Sequence, residues 1–173
     1  MTETMQYLET GQIGEVEIRR YPAVWVATVA GNEEGEVFGI LFRYIRGHNQ
    51  PGKKIPMTAP VITPVEIPMT APVISDTAGM SFVMPAGFRK EDLPEPRDNR
   101  VRLREIPARE VAVIRFRGRA STEDVARVRE RLLSALTANG IKTIGEPFLM
   151  RYNPPFTPGF LRRNEVGVEI RSE

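Results

Sequence analysis

The sequence predicts an α+β fold, an antiparallel sheet curved around a pseudo-twofold axis with two α-helices against it. Two observations predict it. Most apolar runs are short and are cut by proline or glycine, as strands are, and only two segments keep a helical period. In addition, Ile18–Val29 aligns with Leu103–Ile114 at an offset of 85 residues. Arg19, Pro22, Ala23, Val26 and Ala27 match Arg104, Pro107, Ala108, Val111 and Ala112. Each copy reads as strand, Pro-Ala turn, buried strand and then helix, so the chain is expected to hold two βαβ-type repeats, about 15–98 and 99–171, in one domain.

Along the chain, Glu15–Tyr21 begins as alternating polar and apolar residues, the pattern of a half-buried strand. Pro22 breaks the run, and Val24–Val29 reads as a more buried strand. A first helix is expected over Glu33–Arg46, with Asn32 as N-cap and Glu33, Glu34 and Glu36 near the positive end of its dipole. The Gly47-His48-Asn49-Gln50-Pro51-Gly52 turn ends it. Next come two copies of one octapeptide, Ile55–Ile62 and Ile67–Ile74, both reading Ile-Pro-Met-Thr-Ala-Pro-Val-Ile. Each proline removes a ladder donor, so these segments are expected to be extended and to lie at sheet edges or on a barrel rim. Met80–Met84 is a further strand, followed by a Pro-, Gly- and acid-rich connection over Pro85–Asn99. The second helix, Thr122–Asn139, has Ser121 as N-cap, Asp124 three residues on and Gly140 after its end.

The helices differ in their faces. In the second, Val125, Val128, Leu132, Ala135 and Leu136 form one stripe, as on a surface helix lying on a sheet. The first is apolar over a much wider arc, including Val37, Phe38, Ile40, Leu41, Phe42, Tyr44 and Ile45. One sheet covers only part of such an arc, and the remainder is expected to meet another element, a partner subunit or a ligand.

Composition narrows the function. The 173 residues contain no cysteine, which excludes disulfides and thiolate metal sites and fits a reducing cytoplasm. No apolar run is long enough to span a bilayer, and the first residues do not read as a secretory signal. Basic and acidic residues number 24 and 22, a net charge of only +2, and no nucleic-acid reading module is found. The clusters Arg115-Phe116-Arg117-Gly118-Arg119 and Arg162-Arg163 read as solvated strand ends. Nucleic acid is therefore not an expected partner. The oligomeric state stays open.

Several separated strings resemble the SOUL haem-binding family. They are Lys54-Ile55-Pro56-Met57-Thr58-Ala59-Pro60-Val61, Ser81-Phe82-Val83-Met84-Pro85, Leu93-Pro94-Glu95-Pro96 and the late Tyr152-Asn153-Pro154-Pro155…Arg162-Arg163-Asn164-Glu165-Val166. The resemblance runs from about Glu15 to Ile170. It implies a distorted β-barrel flanked by two helices and built by tandem duplication, binding haem or a similar tetrapyrrole in a shallow apolar slot beside the first helix and near the loop before the last strand. Carried over by position, the slot's wall becomes Phe38, Phe42 and Ile45, with Leu41 in the same apolar series and Arg43 as the base for a propionate. The family's other basic positions fall on Gly35 and Thr157, so Arg46 or Arg162 would have to substitute for them. Without such bases the fold equally suits a general small-molecule effector module with no haem preference.

Axial ligation of haem is not required by this reading. His48, the only histidine, sits in a turn and reads more readily as a solvated residue than as an iron ligand. Met57, Met69, Met80, Met84 and Met150 are possible thioether ligands, but methionine more often fills core gaps. No other metal site is expected, and no catalytic one. Nucleophile pairs are improbable without cysteine and with one loop histidine, and phosphate loops and His-Glu-x-x-His are absent. The remaining enzymatic option is a small hydrolase in which Glu165, near Tyr152, serves as a buried general base with a raised pKa. The competing expectation is that Glu165 pairs with Arg162 or Arg163.

Overall fold

A computed structural model of the chain describes residues 3–31, 33–64, 79–153 and 156–171. In chain order its strands are β1 (Glu3–Thr4), β2 (Leu8–Ile13), β3 (Val16–Tyr21), β4 (Val24–Ala30), β5 (Asn49–Gln50) and β6 (Thr58–Pro64). There follow β7 (Gly79–Val83), β8 (Glu95–Pro96), β9 (Arg102–Ile106), β10 (Arg109–Arg117), β11 (Thr143–Arg151) and β12 (Arg163–Ile170). Helix α1 spans Glu34–Ile45 and α2 spans Thr122–Ala138. Among the described residues two compact units interleave along the chain: those within 3–6, 23–63 and 79–107 form the first, and those within 7–22 and 108–171 the second.

In the first unit the strands run in the order β6-β7-β4-β9, all antiparallel, with β1 parallel to β6. Helix α1 buries Val37, Ile40, Leu41, Tyr44 and Ile45 in a core with Ala27 and Val29 of β4 and Met80 and Phe82 of β7. The turn after α1 is organised by the buried Asn49. Its side-chain nitrogen donates to the carbonyls of Tyr44 and Lys53, and its oxygen accepts from the amides of Gly52 and Lys53. All its main bonding capacity is thus used locally, which fixes the chain where it leaves the helix.

In the second unit the order is β2-β3-β10-β12-β11, antiparallel throughout. The period of two divides this sheet into two unlike faces. Val16, Ala112, Ile114, Val166 and Val168 lie on one and pack with Val125, Val128, Leu132 and Leu136 of α2. The other face carries Glu17, Arg19, Tyr21, Arg115, Arg163 and Glu165.

An α+β architecture with largely antiparallel sheets and two helices is therefore present, as the sequence predicts. In each unit the strand order is open at both ends, and among the described residues no unit closes into a barrel by itself. Register gives a sharper correspondence. In the first unit Val24 faces Ile106 and Thr28 faces Arg102; in the second, Arg109 faces Tyr21 and Val113 faces Glu17. These pairs coincide under the 85-residue offset of the sequence alignment. Each Pro-Ala turn, 22–23 and 107–108, carries the chain from one unit to the other.

Two local expectations change and one holds. Helix α1 is capped by Glu33, whose carboxylate accepts from the Glu36 amide; Asn32 lies outside the described residues. Ser121 caps α2 as expected, accepting from the Asp124 amide. The first octapeptide enters β6, which is paired on both sides at its start, Thr58 with Glu3 and with Val83. A proline is tolerated there because the register jumps from Thr58↔Val83 to Val61↔Phe82, leaving Pro60 in the irregularity, where no ladder donor is needed. The second octapeptide lies outside the described residues.

Candidate functional site

The face expected on α1 is split by the fold. Leu41 and Ile45 point into the first unit's core and are almost fully buried. The helix buries them because the sheet takes the arc centred on Val37, Leu41 and Tyr44, leaving the arc one residue further round outside. Phe42, by contrast, is 39% exposed, and Phe38 is half-buried at the edge of the core. The two rings stack with centroids 5.9 Å apart, and Phe38 also meets Phe82 edge-on at 5.2 Å. This contact anchors the pair to the core.

Cations flank the rings. The Arg46 guanidinium carbon stands 5.5 Å from the Phe42 ring centre, within cation–π range. Arg43 is exposed and lies beside Gly39, one turn back, where a Cβ would meet Arg43 Nη1 at an ordinary contact distance of 3.6 Å. The carboxyl of Asp98 is lowered to about 2, mainly by hydrogen bonds from Arg100, with a smaller contribution from the charge of Arg43. His48 is exposed in the turn after the helix, its amide donating to the Arg43 carbonyl at 2.9 Å. Among the candidate methionines, Met80, Met84 and Met150 are core residues and Met57 packs beside the core, while Met69 lies outside the described residues. Among the described residues no group of three or more His, Asp or Glu side chains could hold a metal.

The second unit holds a constellation that sequence reasoning found only in part. Glu165 is fully buried on β12, and so is Arg19 on β3. The two meet as a fork, with Arg19 Nη1 and Nη2 each donating to one carboxylate oxygen at 2.7 Å. Tyr152 donates its hydroxyl to Oε1 at 2.5 Å, and Arg163 and Arg115 donate to Oε2 at 2.9 and 3.3 Å. Arg19 also donates to Glu17 at 2.9 Å and to the Tyr21 hydroxyl at 2.8 Å, with the Tyr7 ring 4.1 Å from its guanidinium carbon. Pairing of Arg115 with Glu165 across β10 and β12 supplies the register.

Electrostatics follow from that crowding. Burial alone would raise the Glu165 carboxyl; hydrogen bonds and charge from Arg19, aided by Tyr152 and Arg163, outweigh it and hold the pKa at about 2. Burial first, and then the Glu165 charge, push the Tyr152 phenol far above its usual value. The expected general base with a raised pKa is therefore not what β12 presents. Its carboxylate is an anion saturated by three guanidinium groups and a phenol, an arrangement that locks strands rather than abstracts protons. Pairing with Arg163 was anticipated from sequence, whereas Arg19, the dominant partner, was missed. The available signal was Glu17-x-Arg19-x-Tyr21, three polar residues at period two on one strand face.

The fold defines a class that several differently described proteins share. The EcmrR C-terminal domain superposes with a TM-score of 0.62 at 13% identity, covering 98% of this chain and all of that one. An uncharacterized conserved protein from Listeria innocua gives 0.61 at 12% identity, and one described as a hydrolase from the same organism 0.55 at 10%, each covering 91% of this chain and 92% of its own. At these identities the likeness is one of fold alone.

Sequence sets the family. The model described as SOUL heme-binding protein matches residues 2–169. Heme-binding protein 2 of Homo sapiens is 32% identical over 170 residues, 94% of this chain and 81% of that protein. The chain belongs to the SOUL heme-binding protein family.

Proposed function

We propose that this protein binds haem or a similar flat tetrapyrrole, without catalysis, at a shallow apolar site on the outer face of α1. The observation that carries the proposal is the stacked Phe38–Phe42 pair, left partly open to solvent between Arg43 and Arg46. A planar macrocycle gains from covering exposed aromatic surface, and a guanidinium forks onto a propionate carboxylate. Leu41 and Ile45 back the site from the core rather than touching the ligand. With His48 confined to a turn, the reading needs no axial protein ligand and assigns haem a weak complex. Family membership and the human relative's name support the ligand class. We read the chain as one domain of two duplicated halves acting in the cytoplasm.

Hemin titrated into the purified protein tests this through the Soret band. A saturable shift is expected; a spectrum that stays that of free hemin rejects the proposal. A second reading, a general module for planar or amphipathic small molecules, is favoured by the uncharged Gly35 and Thr157 at the positions where the family resemblance expects bases. It predicts thermal stabilisation by neutral aromatics or apolar cations, with no preference for hemin.

A further inference from the structure

Among the described residues the most exposed aromatic rings are not on α1, although Phe42 is 39% exposed there and Leu8 of β2 is 68% exposed. Those rings are in the loop before β12, Phe156 at 87% and Phe160 at 75%, with Leu161 beside Phe160 in the chain at 50%. The loop ends in a single 3-10 turn, Gly159–Leu161, held against the end of β10. There the Gly118 amide donates to the Arg162 carbonyl at 3.3 Å, and Asn164 donates to the Gly118 carbonyl at 2.8 Å. A Cβ on Gly159 would stand 2.8 Å from Arg119 Cγ, so the Arg119 side chain lies across that glycine, next to Phe160 in the chain. Arg117 and Arg119 are both exposed and, among the described residues, neither pairs with a carboxylate. This separates them from Arg115 and Arg163, which both pair with Glu165.

We propose that this loop and the end of β10 form a docking surface for an anionic lipid bilayer. Phe156, Phe160 and Leu161 enter the headgroup boundary while Arg117 and Arg119 stay among the phosphates. Exposure this high means the rings project outward instead of lining a groove, which suits insertion into a fluid interface. Aromatic and aliphatic tips over unpaired cations match the two attractions a charged membrane offers, apolar burial and surface potential. A twofold contact centred on this patch would bring Arg117 and Arg119 of both copies into one interface with no carboxylate of the patch to offset them, which argues against self-association. Single-stranded nucleic acid wants stacking platforms along a basic track, and the aliphatic Leu161 and a projecting tip supply neither.

The test is sedimentation of the full chain with vesicles of phosphatidylcholine alone and with about 30% phosphatidylserine, at low and high salt. Binding is expected to the anionic vesicles only, and to weaken with salt. Arg117→Glu with Arg119→Glu should lower partitioning at least about tenfold, and Phe156→Ser with Phe160→Ser should do the same while circular dichroism melting stays unchanged. Absence of binding to anionic vesicles overturns the proposal, as does equal binding to both compositions. So does full vesicle binding by either double variant, or retention of a single-stranded oligonucleotide in place of vesicles. Hemin titration reads none of these outcomes, so the haem proposal stands or falls separately.

Discussion

Two clusters of arginine and aromatic side chains sit in the two units of this molecule, and they behave in opposite ways. In the second unit Arg19, Tyr21 and Glu165 are buried and bonded together, with the half-buried Tyr152 donating to the same carboxylate. On α1, Arg43 and Arg46 stand beside Phe42 at the surface, with ring area left over. The same residue types thus give a strut in one place and an open surface in the other. What separates them is a buried carboxylate: Glu165 consumes the guanidinium charge that α1 leaves available to a ligand.

The largest expected effect comes from breaking the strut. Arg19→Ala leaves Glu165 buried against fewer cations and should cost about 3–5 kcal/mol of folding stability, measured by urea denaturation, with the hemin titration unchanged in whatever protein remains folded. A loss below about 1 kcal/mol, the range of a surface pair, would mean the two clusters do not differ as described.

Acid should act on the same cluster. Because the folded pKa of Glu165, about 2, lies below the ordinary glutamate value, its contribution is present above that value and disappears as pH falls through about 2. Integrated over that interval it amounts to about 3 kcal/mol. Melting temperatures taken from pH 5 to pH 2 should fall steeply in the native chain, and more shallowly in Glu165→Gln, which starts lower.

The α1 cluster should respond in the other direction. Arg43→Glu and Phe42→Ser are each expected to weaken hemin binding about tenfold, roughly one charge-assisted contact or one ring face, while shifting stability by less than about 0.5 kcal/mol. If Phe42→Ser instead destabilised the protein as Arg19→Ala does, the exposed ring would be core and not a ligand surface. The smallest effect falls outside both clusters. Ser121→Ala removes the cap of α2 and should cost about 1 kcal/mol, with no change in hemin binding; it calibrates what ordinary helix capping is worth in this fold.

The wide apolar arc of α1 was legible in the sequence, but its division was not. Spacing places Leu41, Phe42 and Ile45 on one broad face; only the seating of the helix on β4 and β7 makes Leu41 and Ile45 interior and leaves Phe42 outside. Glu165 illustrates the same limit in reverse. Its chain neighbours Arg162 and Arg163 were visible as partners, whereas Arg19 lies 146 residues away in sequence.

By itself the sequence determined β3, β4, β7, β9 and β10, both helices, the Ser121 cap, the family strings and the internal correspondence at 85 residues, because periodicity, capping and repetition can be read along the chain. Tertiary structure decided which apolar residues stay exposed and which charges neutralise each other. Those outcomes depend on strand order and on register between distant segments: β10 places β3 and β12 on either side of itself, and only then does the Arg19 fork close on Glu165.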